Sequence, residues 1–228
     1  MRSRFFYGRV IVLVAGLCYG FGMSPMYYSW SMFAPRIIAD LGIDRAGIGG
    51  VFGLFNVLYQ CVGLLVGLAI VRFGLRSVMA AGFCITAAGL LFLGRADTAL
   101  DCYLGFSILG GIGIGFSTII PAQTLGQNWF LSHRALVIGV IFAFGGIVGR
   151  LVAPADIWVL EHSDWRVGWT AIAAISMTLA VMAALLVRET PEVLGQRRDG
   201  ADPDTPTAPL PAEQMASVAD QWTAAQAI

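Results

Sequence analysis

The chain has 228 residues, a formal net charge of zero, 57% hydrophobic residues and only 12% charged ones. That balance is foreign to soluble domains, and the absence of a basic excess removes nucleic acid as an expected partner. The cysteines (Cys18, Cys61, Cys84, Cys102) show neither CxxC spacing nor a metal pattern, so they read as small side chains between helices, with no metal or cofactor expected.

The apolar residues fall in six blocks, at 10–33, 47–71, 77–94, 100–125, 135–160 and 167–187. A bilayer core about 30 Å thick needs ~20 apolar residues per helix, so each block predicts one span. A β-barrel would alternate over segments of ~10 residues, and this sequence does not. The first block is too long for a signal peptide and lacks a small-residue cleavage site after it, so it reads as an uncleaved span. The expected fold class is therefore an all-α membrane protein, a six-transmembrane-helix bundle over residues 1–190. A cytoplasmic linker rich in Pro and Asp is expected over 191–211. A short amphipathic segment over 212–228 carries Met215, Val218, Trp222 and Ala225 on a weak helical stripe.

On the first span, Tyr27, Tyr28 and Trp30 are expected in an outer interfacial belt. Tyr19 lies deeper and is a candidate to line a cavity. On the second span Asn56 and Gln60 are four residues apart, share a face with Tyr59 adjacent, and are candidates to hydrogen-bond a substrate. Hydrogen bonding between helices is the competing reading. Ser117 and Thr118 on the fourth span are expected to bond back to their own helix. The fifth span carries Gly145-x-x-x-Gly149, a spacing that lets membrane helices approach closely.

The fifth span also holds Arg150 near its middle. An arginine there costs about 2.5–3.5 kcal/mol on the insertion scale, against roughly 0.3–0.6 kcal/mol returned by each large apolar neighbour. Asp156 follows six residues later, about 120° round the helix and roughly 9 Å along it, so the two do not pair directly. Two readings of Arg150 stand: a cation facing a central cavity that attracts a carboxylate, or a hydrogen-bond anchor to a neighbouring helix. Asp156 is a candidate proton carrier or, alternatively, a solvated or paired carboxylate.

All fourteen basic residues are arginines. With the N-terminus inside, nine of them (Arg2, Arg4, Arg9, Arg72, Arg76, Arg134, Arg188, Arg197, Arg198) are cytoplasmic and four (Arg36, Arg45, Arg95, Arg166) are outside. The excess predicts a multi-pass protein of the cell membrane with both termini cytoplasmic. Arg72 and Arg76 then occupy a tight cytoplasmic turn, with Gly74 supplying backbone freedom.

The pattern Gly67-x-x-x-x-Arg72-Phe73-Gly74-x-Arg76 resembles the loop signature of the major facilitator superfamily, G-x-L-x-D-R-x-G-R-R, at the position after the second span where that family carries it. Val71 stands in place of the aspartate and Leu75 in place of one basic residue, so a charge latch through position 71 is absent. Later stretches resemble the monocarboxylate transporter and oxalate/formate antiporter branch. They are Gly111, Gly113, Gly115, Pro121, Trp129, Phe130, Arg134, Gly139, Gly145 and Gly149, then Trp165-Arg166. Pro191, Glu192, Leu194, Gly195, Arg197, Asp199 and Gly200 follow, with Arg198 in place of a proline.

The resemblance implies half of a twelve-helix fold, with substrate bound near the midplane between halves. It implies a secondary transporter moving a small organic anion, a monocarboxylate in this branch, by alternating access, with a coupling proton as a candidate partner. A carrier of drugs or sugars and a truncated, non-transporting membrane protein are the alternatives. The other partners expected are the lipid bilayer and either a C-terminal six-helix half or a second copy of the chain. An enzyme is not expected: Gly115-Phe116-Ser117 slightly resembles a serine nucleophile site, but His133 and His162 fall at opposite membrane faces. No internal sequence repeat is legible between spans one to three and four to six.

Overall fold

The computed structural model describes residues 6–200. Arg2, Arg4, the end of the expected linker and the expected amphipathic segment lie outside the described residues. The first span is helix α1, Gly8–Leu41. Its 34 residues make about 51 Å of helix at 1.5 Å per residue, well beyond a bilayer core of about 30 Å. It stops at Gly42, which takes the left-handed conformation (φ 64°) that ends helices readily. Asp44 then caps α2, Arg45–Cys61, by accepting from the Gly47 N–H at 2.7 Å.

The second span is not one straight helix. α2 passes through Val62 into α3, Gly63–Phe73, with a 45° bend between them. Helix α4, Leu75–Leu93, is the third span. The fourth runs over Ala99–Trp129 and is the most irregular. A capping box between Thr98 and Asp101 starts α5, Ala99–Cys102. A π-helical segment, Tyr103–Gly110, leads into α6, Gly111–Ser117, and a break at Thr118 precedes α7, Ile119–Trp129. Pro121 explains that break. It has no N–H to offer, and its ring collides with the carbonyl four residues back, that of Ser117. Helices α8, Arg134–His162, and α9, Trp165–Leu186, are the fifth and sixth spans.

The packing shows the repeat that the sequence hides. The first span packs on the fifth and the second on the fourth; the first packs on the sixth and the third on the fourth; the third packs on the sixth. Exchanging spans one to three with four to six leaves this pattern unchanged. Side-chain identities differ between the two triplets, but each helix meets the same kind of neighbour.

Two large apolar clusters fill the bundle, beside a smaller one at Val62, Val66 and Val78. One holds Trp30, Phe33, Phe55, Phe106 and Trp169; the other holds Ile11, Phe83, Leu125, Trp129 and Ala183. Between and beside them the backbones nearly touch. A Cβ on Gly113 would sit 2.7 Å from the Gly82 carbonyl oxygen, and one on Gly89 would sit 2.6 Å from that of Gly105. The expectation that Ser117 and Thr118 bond back to their own helix holds, through Gly113 O at 2.9 Å and Ile114 O at 2.7 Å.

The outer aromatic belt is a correction. Trp30 is buried and stacks on Phe106 with centroids 4.0 Å apart. Tyr27 lies within the bundle, and of the three only Tyr28 is exposed. These residues end the apolar block but not the helix, which runs on to Leu41. Cys18 and Cys102 are buried as expected, whereas Cys61 and Cys84 are exposed.

The start of the expected linker is folded. Pro191–Leu194 and Arg198–Gly200 form 3-10 turns against one end of the bundle. Trp129 Nε1 donates to the Arg188 carbonyl at 2.8 Å, and Asn128 Nδ2 donates to that of Glu189 at 3.1 Å. The Tyr7 hydroxyl donates to the Leu186 carbonyl and the Tyr7 N–H to Gln196 Oε1. Asp199 accepts from the backbone N–H groups of Leu131 and Ser132. Partial burial pushes the Asp199 carboxyl up, but those N–H groups hold it below the usual carboxylate range on balance. The segment after α9 thus ties together the ends of spans one, four and six.

At the opposite end, Arg166 pairs with Asp40, with Asp164 at 3.2 Å and with Asp97 at 3.8 Å, and donates to the Ala96 carbonyl at 2.9 Å. One guanidinium joins the end of α1, the loop between spans three and four, and the start of α9. Its side chain is partly exposed, so each pair contributes about 0–1 kcal/mol.

Candidate functional site

The candidate residues divide into a polar group inside the bundle and a cation on its surface. Inside, α1 presents Tyr19 and Tyr27, α2 presents Asn56 and Tyr59, and the break in the fourth span presents Thr118. The Tyr27 hydroxyl donates to Asn56 Oδ1 at 2.9 Å, while Asn56 Nδ2 donates to the Phe52 carbonyl at 2.8 Å. Tyr59 stacks on Phe55 with centroids 6.1 Å apart and meets the Thr118 hydroxyl. Tyr19 is within electrostatic reach of Tyr27 and Tyr59 and packs on the Phe142 ring at 4.8 Å. Hydrogen-bonding side chains from three spans thus share one interior region, in which the Tyr27–Asn56 bond joins α1 to α2. This is chemistry suited to orienting a small polar solute; it carries no charge.

Of the four candidate binding residues, the structure brings Tyr19 and Asn56 to this group. Gln60 shares the Asn56 face but is exposed, one turn further along α2. Arg150 stands on the exposed face of α8 and makes no salt bridge among the described residues. Tyr27 and Thr118 join this group although neither is among the sequence candidates for it. Tyr27 sits 29 residues from Asn56 in sequence, and no local spacing signals their bond.

Asp156 also departs from one expectation. It is not solvated: its residue is 5% exposed, and Oδ2 has no hydrogen-bond partner. It sits where α8 packs on α1, beside Ser29.

The loop residues fall where the motif places them. Gly74 links α3 to α4 with φ 80°, in the region glycine adopts without strain. A Cβ there would strike Glu189 Oε1, which accepts from the Arg76 N–H at 3.4 Å. Glu189 thus brings a carboxylate to the loop that lacks one at position 71. Arg72 lies over the neighbouring Phe73 ring, 5.5 Å from its centroid. Gly67 faces open space: a Cβ there would meet nothing within 4 Å, and the same is true of Gly49, Gly53, Gly139 and Gly146. The exposed faces of α2, α3 and α8 are therefore not covered by the rest of the described chain.

Comparison with known proteins gives this architecture its class. The family model described as Major Facilitator Superfamily matches residues 6–225. The chain belongs to that superfamily, and the helical, multi-pass architecture is that of a half of its fold. Among curated relatives, it is 22% identical to monocarboxylate transporter 4 of Rattus norvegicus over 87% of this chain and 40% of the relative. It is 26% identical to monocarboxylate transporter 1 of Mus musculus over 72% of this chain and 33% of the relative. An uncharacterized transporter of the same superfamily from Bacillus subtilis (strain 168) is 25% identical over 77% of this chain and 43% of the relative. The chain thus spans less than half the length of these relatives.

Proposed function

We propose that this chain is one half of a secondary transporter that moves a small organic anion, a monocarboxylate, across the cell membrane by alternating access. The observation that carries the reading is Arg150, a permanent cation on a membrane span with no anionic partner among the described residues. Such a charge is expensive beside lipid and acceptable beside water or a carboxylate. The polar group of Tyr19, Tyr27, Asn56 and Tyr59, with Gln60 beside it, supplies neutral hydrogen-bonding groups for the rest of a small solute. The relatives named monocarboxylate transporters support the substrate class.

The open faces over Gly49, Gly53 and Gly67 on α2 and α3, and over Gly139 and Gly146 on α8, are where a second six-helix bundle would pack. That bundle is a C-terminal half or a second copy of this chain. Both termini lie on the cytoplasmic side, with the Arg72–Arg76 turn. Glu189 holds that turn from within the half, where the family's aspartate is missing. A proton is the coupling ion in this reading.

Uptake of radiolabelled carboxylates of two to four carbons into proteoliposomes tests this. Saturable carboxylate uptake, not competed by neutral sugars, is the expected result. Uptake of a sugar or a lipophilic cation in its place favours the other carriers of the superfamily and sinks the anion reading.

A further inference from the structure

We infer that Asp156 and Ser29 form a proton-binding pair, loaded when α1 and α8 close on one another; this rests on the transporter reading above. Among the described residues, Asp156 is the one charged residue in the buried set, whose other members are serines and threonines. Ser29 beside it is fully buried. Ser29 Oγ and Asp156 Oδ2 both lack a hydrogen-bond partner, although they belong to neighbouring side chains. That mismatch has a simple chemical resolution. Either side chain can donate in such a pair, since a carboxylic acid can give its O–H to the serine oxygen and the serine O–H can go to an ionised carboxylate, but only the first arrangement leaves no buried charge.

No cation compensates such a charge. On α8, Arg150 is six residues away, while Glu161 and His162 lie toward the helix end. On α1, Tyr28 packs toward Gly149, while Arg36 and Asp40 are exposed further along the helix. On α9, Arg166 is engaged by Asp40, Asp97 and Asp164. Asp156 makes no salt bridge with any of them, and Ser29 is the side chain that acts on it. An unpaired buried carboxylate takes up a proton instead of staying ionised.

The placement makes the proton conditional on helix packing. α1 and α8 meet along Gly16, Gly20 and Ser24, with Ser24 Oγ donating to the Gly145 carbonyl at 2.8 Å. Asp156 lies beyond that contact, toward the Arg166 end of the bundle. Parting the helices there wets the carboxyl and releases its proton to water. Closing them requires the reverse transfer, from a hydronium ion to a carboxylate oxygen.

Infrared difference spectroscopy of the protein in lipid reads this without any substrate. The expected result is one protonated-carboxyl C=O band at neutral pH, lost in Asp156→Asn and shifted in Ser29→Ala. A carboxamide has the shape of the protonated acid, so the Asp156→Asn variant is expected to remain folded. Absence of the band in the unmodified protein, or its persistence in Asp156→Asn, overturns the inference. The spectrum can fail while carboxylate uptake succeeds, and the reverse, so the two readings fall separately.

Discussion

Replacing Gly105 and Gly113 together by alanine unfolds the bundle at a markedly lower denaturant dose than the unmodified protein requires. The cause is backbone contact, not side-chain loss. A Cβ on Gly113 would lie 2.6 Å from the Thr86 backbone nitrogen and 2.7 Å from the Gly82 oxygen. One on Gly105 would lie 2.8 Å from the Gly89 oxygen and 3.0 Å from the Leu93 nitrogen. Backbone atoms cannot rotate away, so α4 and the fourth span must separate. Overpacking of this kind costs about 1–3 kcal/mol per site. Gly49→Ala and Gly53→Ala provide the control, since a Cβ at either position meets nothing within 4 Å. Each of these should leave the bundle unharmed or stabilise it by about 0.5–1 kcal/mol through helix propensity. Unfolding curves of the double variant and the two controls in mixed micelles measure this directly. Equal loss in the double variant and the controls would mean that the close crossing of α4 is absent.

Arg150→Gln should weaken carboxylate recognition far more than it weakens folding. The guanidinium makes no salt bridge within the described residues, so its removal breaks no internal ion pair. A hydrogen bond to a charged group contributes about 1.5–3 kcal/mol, which is roughly 10–150-fold in affinity. The expected result is a rise in KM for carboxylate uptake of that order, with protein abundance in the membrane unchanged. An unchanged KM would rule out the binding role and leave Arg150 as a structural anchor.

These two regions differ in how far the sequence discloses them. The six spans were legible because a bilayer demands long apolar blocks, and the turn at Gly74 was legible because two arginines and a glycine interrupt them. The break at Thr118 was not anticipated, although Pro121, through its clash with the Ser117 carbonyl, is its cause. The 45° bend at Val62 has no comparable marker: no proline lies in 45–73, and the helix bends without one.

Burial near the ends of blocks was the weakest inference. Trp30 and Asp156 both sit where an apolar block thins, a position that suggests interface and water. In the fold, Phe106 of the fourth span and Trp169 of α9 cover Trp30, and α1 packs over Asp156 at Ser29, so Trp30 becomes core and Asp156 becomes dry. The polar group was half legible. Asn56 and Tyr19 were visible as polar residues inside spans, but the bond from Tyr27 to Asn56 depends on how α1 crosses α2. Glu189 at the Gly74 turn is likewise a tertiary fact, set by the fold-back of the segment after α9.

The most direct test of the account is the reactivity of a cysteine placed at Arg150. With Cys61 and Cys84, the exposed native thiols, replaced by serine, Arg150→Cys should react with a membrane-impermeant thiol reagent. A short monocarboxylate should slow that reaction, and a neutral sugar should not. Failure of the reagent to reach position 150, or equal slowing by sugar and carboxylate, would contradict an aqueous anion path along α8.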